Sequence, residues 1–317
     1  MNMKIVFIAN PNEIAINALQ DAGINVEIIL RSGNVYDKVT QVNPDILICR
    51  NRDDISSLIK ACSNIRMIFV VEVGLEKLPF SELQSHHIRV ANTGGISADI
   101  MSNYVLGCIL NHTVRLLEDW QNQQKSNWKR FQSTDSLIDK TLLIVGAGRT
   151  GIKIAQKAKA FGMRIIGIVR NQREIEGFEK VGTLDQMQQF ISEADYVACT
   201  LPLTSETQLL FSKEVYRCMK PTAVFINVSR GGIVNESDLL YALDAGMLEH
   251  AYLDVFINEP LPKEHAFWMH GKVTVTPHQS GRLANNIEKA MKLFIQNYTA
   301  YCAGESMPNE VDLSKGY

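Results

Sequence analysis

The decapeptide Leu142-Leu143-Ile144-Val145-Gly146-Ala147-Gly148-Arg149-Thr150-Gly151 constrains this chain more than any other stretch. Its apolar first half reads as a buried strand, and Ile152-Lys153-Ile154-Ala155 begins a helical pattern directly after it. Between the two stands GxGxxG. Gly146 permits the tight turn, Gly148 lets the backbone approach a pyrophosphate, and Gly151 lets helix and strand pack closely. The helix N-terminus adds N–H groups and a partial positive charge, which favour a phosphate. A lone GxGxxG is a weak signal. With a strand before it, a helix after it and a second strand at Arg164–Val169, it points to dinucleotide binding.

That second strand is expected to end at Val169-Arg170. A site for NAD usually has Asp or Glu there, accepting from the ribose hydroxyls. Val169 takes that place and Arg170 follows it. An arginine attracts a 2′-phosphate where an acid would repel it, so NADP(H) is favoured over NAD(H).

The same alternation recurs along the 317 residues. Short runs rich in Ile and Val at Ile5–Ile8, Val26–Leu30, Asp45–Cys49, Met67–Val71 and Ile88–Ala91 read as strands, with helices at Pro11–Ala22 and Asp53–Ala61. One long helix is expected over Ser97–Leu117. A polar connection follows over Gln121–Asp139, anchored by Trp128 and Phe131. A second series places strands at Leu142–Val145, Arg164–Val169, Tyr196–Leu201, Ala223–Asn227, Ala251–Val255 and Val273–Thr276, and helices at Gly151–Phe161, Leu184–Glu193, Lys213–Met219, Glu236–Asp244 and Ala284–Cys302. Such βαβ series fold into parallel sheets with helices on both faces. The last helix is expected to return to the first domain. This gives a discontinuous domain, 1–98 with 284–317, and a dinucleotide-binding domain over 99–283.

Composition narrows the function. Apolar content of 46% and charged content of 21% suit a soluble globular protein, and a net charge of -2 argues against nucleic-acid binding driven by bulk charge. None of the six cysteines forms a CxxC pair, and most lie in apolar segments, as thiols of a reducing compartment do. No Cys/His spacing suits structural zinc, and no metal is expected. The first apolar run is too short for a signal peptide, and no stretch is long enough to span a bilayer. The expected location is the cytoplasm.

Three segments follow predicted strands, where open α/β sheets bind their ligands. They are Phe225-Ile226-Asn227-Val228-Ser229-Arg230-Gly231-Gly232, Leu253-Asp254-Val255-Phe256-Ile257-Asn258-Glu259-Pro260 and Thr276-Pro277-His278-Gln279-Ser280-Gly281. Reducing a keto acid needs a hydride, a proton donor and a clamp for the carboxylate. A nicotinamide brings the hydride. His278 can protonate the keto oxygen, Glu259 can stabilise the imidazolium, and the planar fork of Arg230 can hold a carboxylate and orient the carbonyl. Singly, each has a bland alternative as a salt-bridged arginine, a turn-capping glutamate or a loop histidine. Their joint placement makes the catalytic reading the better one.

With these motifs and Leu201-Pro202-Leu203-Thr204-Ser205-Glu206-Thr207, the chain resembles the D-isomer-specific 2-hydroxyacid dehydrogenases over almost its whole length. The terminal Asn309-Glu310-Val311-Asp312 and Lys315-Gly316-Tyr317 resemble the phosphoglycerate-dehydrogenase-like and hydroxypyruvate-reductase-like branch. The resemblance implies a Rossmann-type dinucleotide-binding domain plus a smaller flavodoxin-like, discontinuous substrate domain. It also implies catalytic roles for Arg230, Glu259 and His278 on a small 2-oxo or 2-hydroxy acid. Around the cofactor it places Gly146, Gly148, Arg149, Thr150, Gly151, Arg170, Pro202, Thr207, Val228, Ser229, Asp254 and Gly281, with Asp254 accepting from the carboxamide. Glu72-Val73-Gly74-Leu75 matches the family's substrate loop, so Val73 and Gly74 join Arg230 and His278 in holding the substrate. A homodimer is implied, and the helix Asp99–Leu117 is the candidate interface.

Some positions depart from the family pattern. Glu72 and Val73 replace small residues; an acid there disfavours a phosphate-bearing substrate if it faces the pocket. Asn103 replaces an acid, with a local effect expected. Trp268 sits in a loop that either reaches the site or packs. The alternative from another class is a cofactor-sensing binding protein of the same fold, in which added terminal segments, not expected here, serve partners. A formate-dehydrogenase-like enzyme pairs its histidine with glutamine, against which Glu259 stands. Biosynthetic phosphoglycerate dehydrogenases often carry a regulatory domain, also not expected here.

Overall fold

The computed structural model describes every residue except 1–2, 9, 11–12, 32, 131–134 and 316–317. The expected helix start at Pro11, the anchor Phe131 and the terminal Gly316-Tyr317 therefore lie outside the described residues. The chain divides into two units, Met1–Ile96 with Leu283–Tyr317, and Ser97–Arg282.

The first unit holds strands β1 (Ile5–Ile8), β2 (Glu27–Ile29), β3 (Ile46–Cys49), β4 (Met67–Val70) and β5 (Arg89–Asn92), all parallel in the order β2-β1-β3-β4-β5. That is the flavodoxin-like order. In β1, β3 and β4 every position is buried, because both faces are covered. Val6, Leu47 and Ile68 pack with Val39, Ile55, Leu58 and Leu83 from the helices Val35–Val42, Ile55–Ala61 and Phe80–Ser85. Ile5, Phe7, Ile48 and Phe69 pack on the other face with Ala15, Leu19, Met291 and Phe294 from Glu13–Asp21 and Asn286–Cys302. The C-terminal segment is stitched onto β5. Val311 donates to Val90 O at 2.8 Å, and Arg89 pairs with Glu310 at 2.6 Å.

The second unit holds β6 (Thr141–Val145), β7 (Arg164–Ile168), β8 (Lys180–Gly182), β9 (Tyr196–Cys199), β10 (Val224–Asn227), β11 (His250–Leu253) and β12 (Val273–Val275). From one edge the parallel order is β8-β7-β6-β9-β10-β11-β12. This is the Rossmann order with a seventh strand added. Leu142, Ile144 and Ile226 pack under Val105, Ile109, Ile154 and Ala158 from the helices Ala98–Val114 and Arg149–Lys159.

Several elements differ from expectation. The long helix stops at Val114, Arg115 turns left-handed (φ 58°), and a second helix over Leu116–Gln124 begins within the expected helix and ends within the expected polar connection. Asn111 Oδ1 takes the Leu117 amide at 2.9 Å at this break. The second helix buries no residue, so it has no apolar periodicity to read. The helices Val35–Val42 and Phe80–Ser85 and the edge strand β8 were not expected; all are short. Among the described residues no helix is long and apolar enough to cross a membrane.

Candidate active site

The glycine loop between β6 and the helix Arg149–Lys159 is shaped as its sequence requires. Gly146 has φ 107°, and a Cβ there would lie 2.8 Å from the Leu201 nitrogen. A Cβ on Gly151 would lie 2.8 Å from the Gly146 carbonyl oxygen, whereas one on Gly148 would meet open space. Thr200 Oγ1 donates to Gly146 O at 2.7 Å and ties the loop to the end of β9. The first intrahelical bond runs from Ile152 N to Gly148 O at 2.9 Å, so the Thr150 and Gly151 amides have no acceptor within the helix. A cradle with open space at Gly148, and with amides that have no acceptor within the helix, fits a pyrophosphate. Arg149 is exposed and Thr150 half-buried beside it.

The loops after β10, β11 and β12 bring the chemical groups together. His278 Nδ1 lies 2.7 Å from Glu259 Oε2, and Glu259 Oε1 accepts from the Phe256 amide at 3.0 Å. The carboxylate is thus fixed at both oxygens, and the imidazole side chain stays 49% exposed. Arg230 lies one residue before Gly231, whose hypothetical Cβ would be only 1.9 Å from the Phe256 carbonyl carbon. No side chain fits there, so the loop bearing Arg230 presses directly on the turn bearing Glu259. Asn227, fully buried, accepts from both Ser229 N (3.1 Å) and Ser229 Oγ (2.8 Å), and donates to Arg230 O at 3.3 Å. Arg230 Nη1 donates to Ser229 O at 2.7 Å.

Asp254 is fully buried and organises the histidine loop. Its Oδ1 accepts from Thr276 Oγ1 at 2.6 Å and from Gln279 N at 2.9 Å, and its Oδ2 from Ser280 N at 2.8 Å. Its carbonyl takes His278 N at 2.8 Å, with His278 held at φ 49°. Thr276 has one hydroxyl hydrogen, which goes to the carboxylate, so Tyr104 OH must be the donor in its 2.6 Å contact with Thr276. Burial pushes the Tyr104 phenol up, which keeps it that donor. Tyr104 lies in no motif, and Thr276, although it opens the histidine motif, was given no role in the sequence, because its partners are 22 and 172 residues away.

The remaining expected residues take these places. Arg170 pairs with Glu206 at 2.9 Å, a partner not foreseen. Thr207 turns inward, donating to Pro202 O at 2.7 Å and accepting from Thr204 N at 2.8 Å, while Pro202 is exposed. Val228 and Ser229 are buried; the neighbouring Cys199 thiol is pushed up to about 11 by burial and stays neutral. Gly281 O accepts from Ser97 Oγ at 2.9 Å. Val73 and Gly74 belong to the other unit, at the C-terminal end of β4. There Glu72 points back to the Asn51 amide at 2.9 Å. Asn103 accepts from Lys157, which also holds Asp99 at 2.8 Å. Trp268 Nε1 donates to Pro262 O at 2.8 Å.

Residues 106–280 match the family model described as D-isomer specific 2-hydroxyacid dehydrogenase, NAD binding domain. The chain belongs to this family. It is an NAD(P)-dependent 2-hydroxyacid dehydrogenase. It is 33% identical over 274 residues to the glyoxylate reductase/hydroxypyruvate reductase of Mus musculus, covering 84% of each chain. A family structure from Aeromonas salmonicida subsp. salmonicida superposes with a TM-score of 0.85 at 28% identity, over 99% of this chain and 100% of that one. The NADPH-dependent glyoxylate/hydroxypyruvate reductase of Sinorhizobium meliloti, solved with NADP and sulfate, gives 0.84 at 25% identity, over 99% and 100%.

Proposed function

We propose that this dehydrogenase reduces a small 2-oxo acid of the glyoxylate and hydroxypyruvate type to the D-2-hydroxy acid, with His278, Glu259 and Arg230 as its catalytic residues. The observation that carries the proposal is the 2.7 Å Glu259–His278 pair, anchored on one side and open on the other. The nicotinamide supplies the hydride when bound. His278 gives the keto oxygen its proton through the ring nitrogen opposite Glu259, and Glu259 balances the imidazolium charge. Arg230 holds the substrate carboxylate with its fork and turns the carbonyl toward the donor. Val73 and Gly74 add backbone amides to that carboxylate. The names of the relatives in mouse and Sinorhizobium support the substrate class.

In the same proposal the unit Ser97–Arg282 holds the cofactor, through the twelve residues named from the sequence, and the other unit carries the substrate loop. NADP(H) is preferred over NAD(H) because Arg170 draws the 2′-phosphate; the Sinorhizobium relative, solved with NADP, supports this. The protein works in the cytoplasm as a homodimer without nucleic-acid partners. Buried Cys49, Cys62, Cys108 and Cys199 support a reducing location, and exposed Leu116, Trp120 and Trp128 support an interface next to the helix Ala98–Val114.

The test follows NADPH and NADH oxidation in parallel with glyoxylate, hydroxypyruvate, pyruvate and larger 2-oxo acids. Faster turnover with NADPH on the two-carbon and three-carbon acids is expected. A preference for NADH would remove the role of Arg170 and keep the reaction. Tight cofactor binding without turnover of any acid would replace the enzyme reading by that of a cofactor-sensing protein.

A further inference from the structure

We infer that Glu236 and His265 are positioning residues that hold the Glu259 carboxylate in line with His278. This rests on the catalytic reading of Glu259 given above. The turn after β11 presents two consecutive amides, Phe256 N and Ile257 N. The first donates to Glu259 Oε1 at 3.0 Å and the second to Glu236 Oε1 at 2.9 Å. Glu236 opens the helix Glu236–Asp244, five residues after Gly231, so it starts from the segment that bears Arg230. Its other oxygen faces His265 Nε2 at 3.4 Å, and His265 Nδ1 takes the Phe267 amide at 3.3 Å. One half-buried carboxylate therefore joins three segments: the Arg230 loop, the Glu259 turn and the 3₁₀ turn at Ala266–Trp268.

The second Glu–His pair copies the first in outline, with one carboxylate oxygen on a backbone amide and the other on an imidazole. It differs in what remains for a substrate. Both ring nitrogens of His265 face protein partners, and its side chain is 22% exposed against 49% for His278. A histidine so occupied has no nitrogen to offer a keto oxygen, which makes the pair a brace. The brace reaches Glu259 through a short path. The Phe256–Ile257 peptide is pressed by Gly231 on one side and held by Glu236 on the other. Phe256 N in turn fixes Glu259 Oε1 and hence the direction of Oε2. Release of Ile257 N would loosen the backbone at Phe256, whose own amide holds Glu259 Oε1, and let the carboxylate drift off the imidazole. Groups held within a fraction of an ångström of the productive geometry are the ones whose loosening is felt in turnover.

The test is a double-mutant cycle on the full chain with NADPH and glyoxylate or hydroxypyruvate. Glu236→Ala is expected to lower kcat about 10-fold in the parent, with KM and cofactor Kd within about 2-fold, but to lower it less than about 2-fold in a Glu259→Gln background. Glu236→Gln keeps an acceptor for Ile257 N and should restore most of the lost kcat. If Glu236→Ala does not fold, His265→Gln goes through the same cycle with the same expectation. Equal factors in both backgrounds would mean that Glu236 acts independently of Glu259 and would overturn the inference while leaving the active-site reading intact. An unimpaired Glu259→Gln enzyme would instead remove the active-site reading, and this inference with it.

Discussion

The two ends of the seven-stranded sheet both carry histidines, in opposite circumstances. At the C-terminal end His278 sits half-exposed in a left-handed backbone conformation, with Glu259 on one nitrogen. At the N-terminal end His250 opens β11, its Nε2 on Thr274 Oγ1 at 2.9 Å and its ring 4.7 Å from Tyr252 and 5.7 Å from His112. Burial, and after it the His112 charge, push His250 down to about 4, against the weaker pull of Glu249. The first arrangement leaves one ring nitrogen without a protein partner among the described residues, in a half-exposed ring; the second keeps a neutral ring as packing. Residue type alone does not separate them. The end of the strand does, because loops leaving the C-terminal ends of parallel strands converge there.

Substitution of each histidine is the strongest test of this contrast. His278→Ala should cut turnover by about 10³-fold with NADPH binding retained, whereas His250→Gln should stay within about 2-fold. Comparable losses from both would break the contrast.

Glycines at the two ends sharpen it. Gly231→Ala at the C-terminal end drives a Cβ into the Phe256 backbone and should cost about 3 kcal/mol or more by urea denaturation. Gly246→Ala, before β11, has open space and only a left-handed φ of 68°, and should cost about 1 kcal/mol.

The N-terminal end should reveal itself in acid. His250 binds its proton more readily unfolded than folded, so the stability it lends is complete above the unfolded value of about 6.5. That stability falls as pH drops through about 4. His250→Gln should flatten this part of the stability profile between pH 6.5 and 4; an unchanged slope would place the acid-sensitive group elsewhere.

The smallest effect belongs to the edge of the C-terminal end. Glu206 shares the Arg170 guanidinium that the 2′-phosphate is proposed to use. Glu206→Gln should tighten NADP⁺ binding about 3-fold by titration and leave NAD⁺ unchanged, the modest size reflecting an exposed ion pair. No gain for NADP⁺ would show that the pair does not compete with the cofactor.

The sequence by itself determined the features whose cause is local. Alternating β-rich and helical runs gave two parallel sheets, since apolar strands buried on both faces have no other use. Gly146 and Gly151 announced their turn because a side chain is excluded at both. Arg230, Glu259 and His278 were legible as motif members following strands. Tertiary structure alone decided what depends on groups distant in the chain. The left-handed break at Arg115 leaves no pattern, because the helix after it buries nothing. Arg170 was legible as a cation for a 2′-phosphate, but its pairing with Glu206, 36 residues on, was not. The brace of Glu236 and His265, and the chain from Tyr104 through Thr276 to Asp254, join side chains that no spacing rule relates. A hydrogen bond depends on where the packed strands bring two atoms, and that placement belongs to the whole sheet.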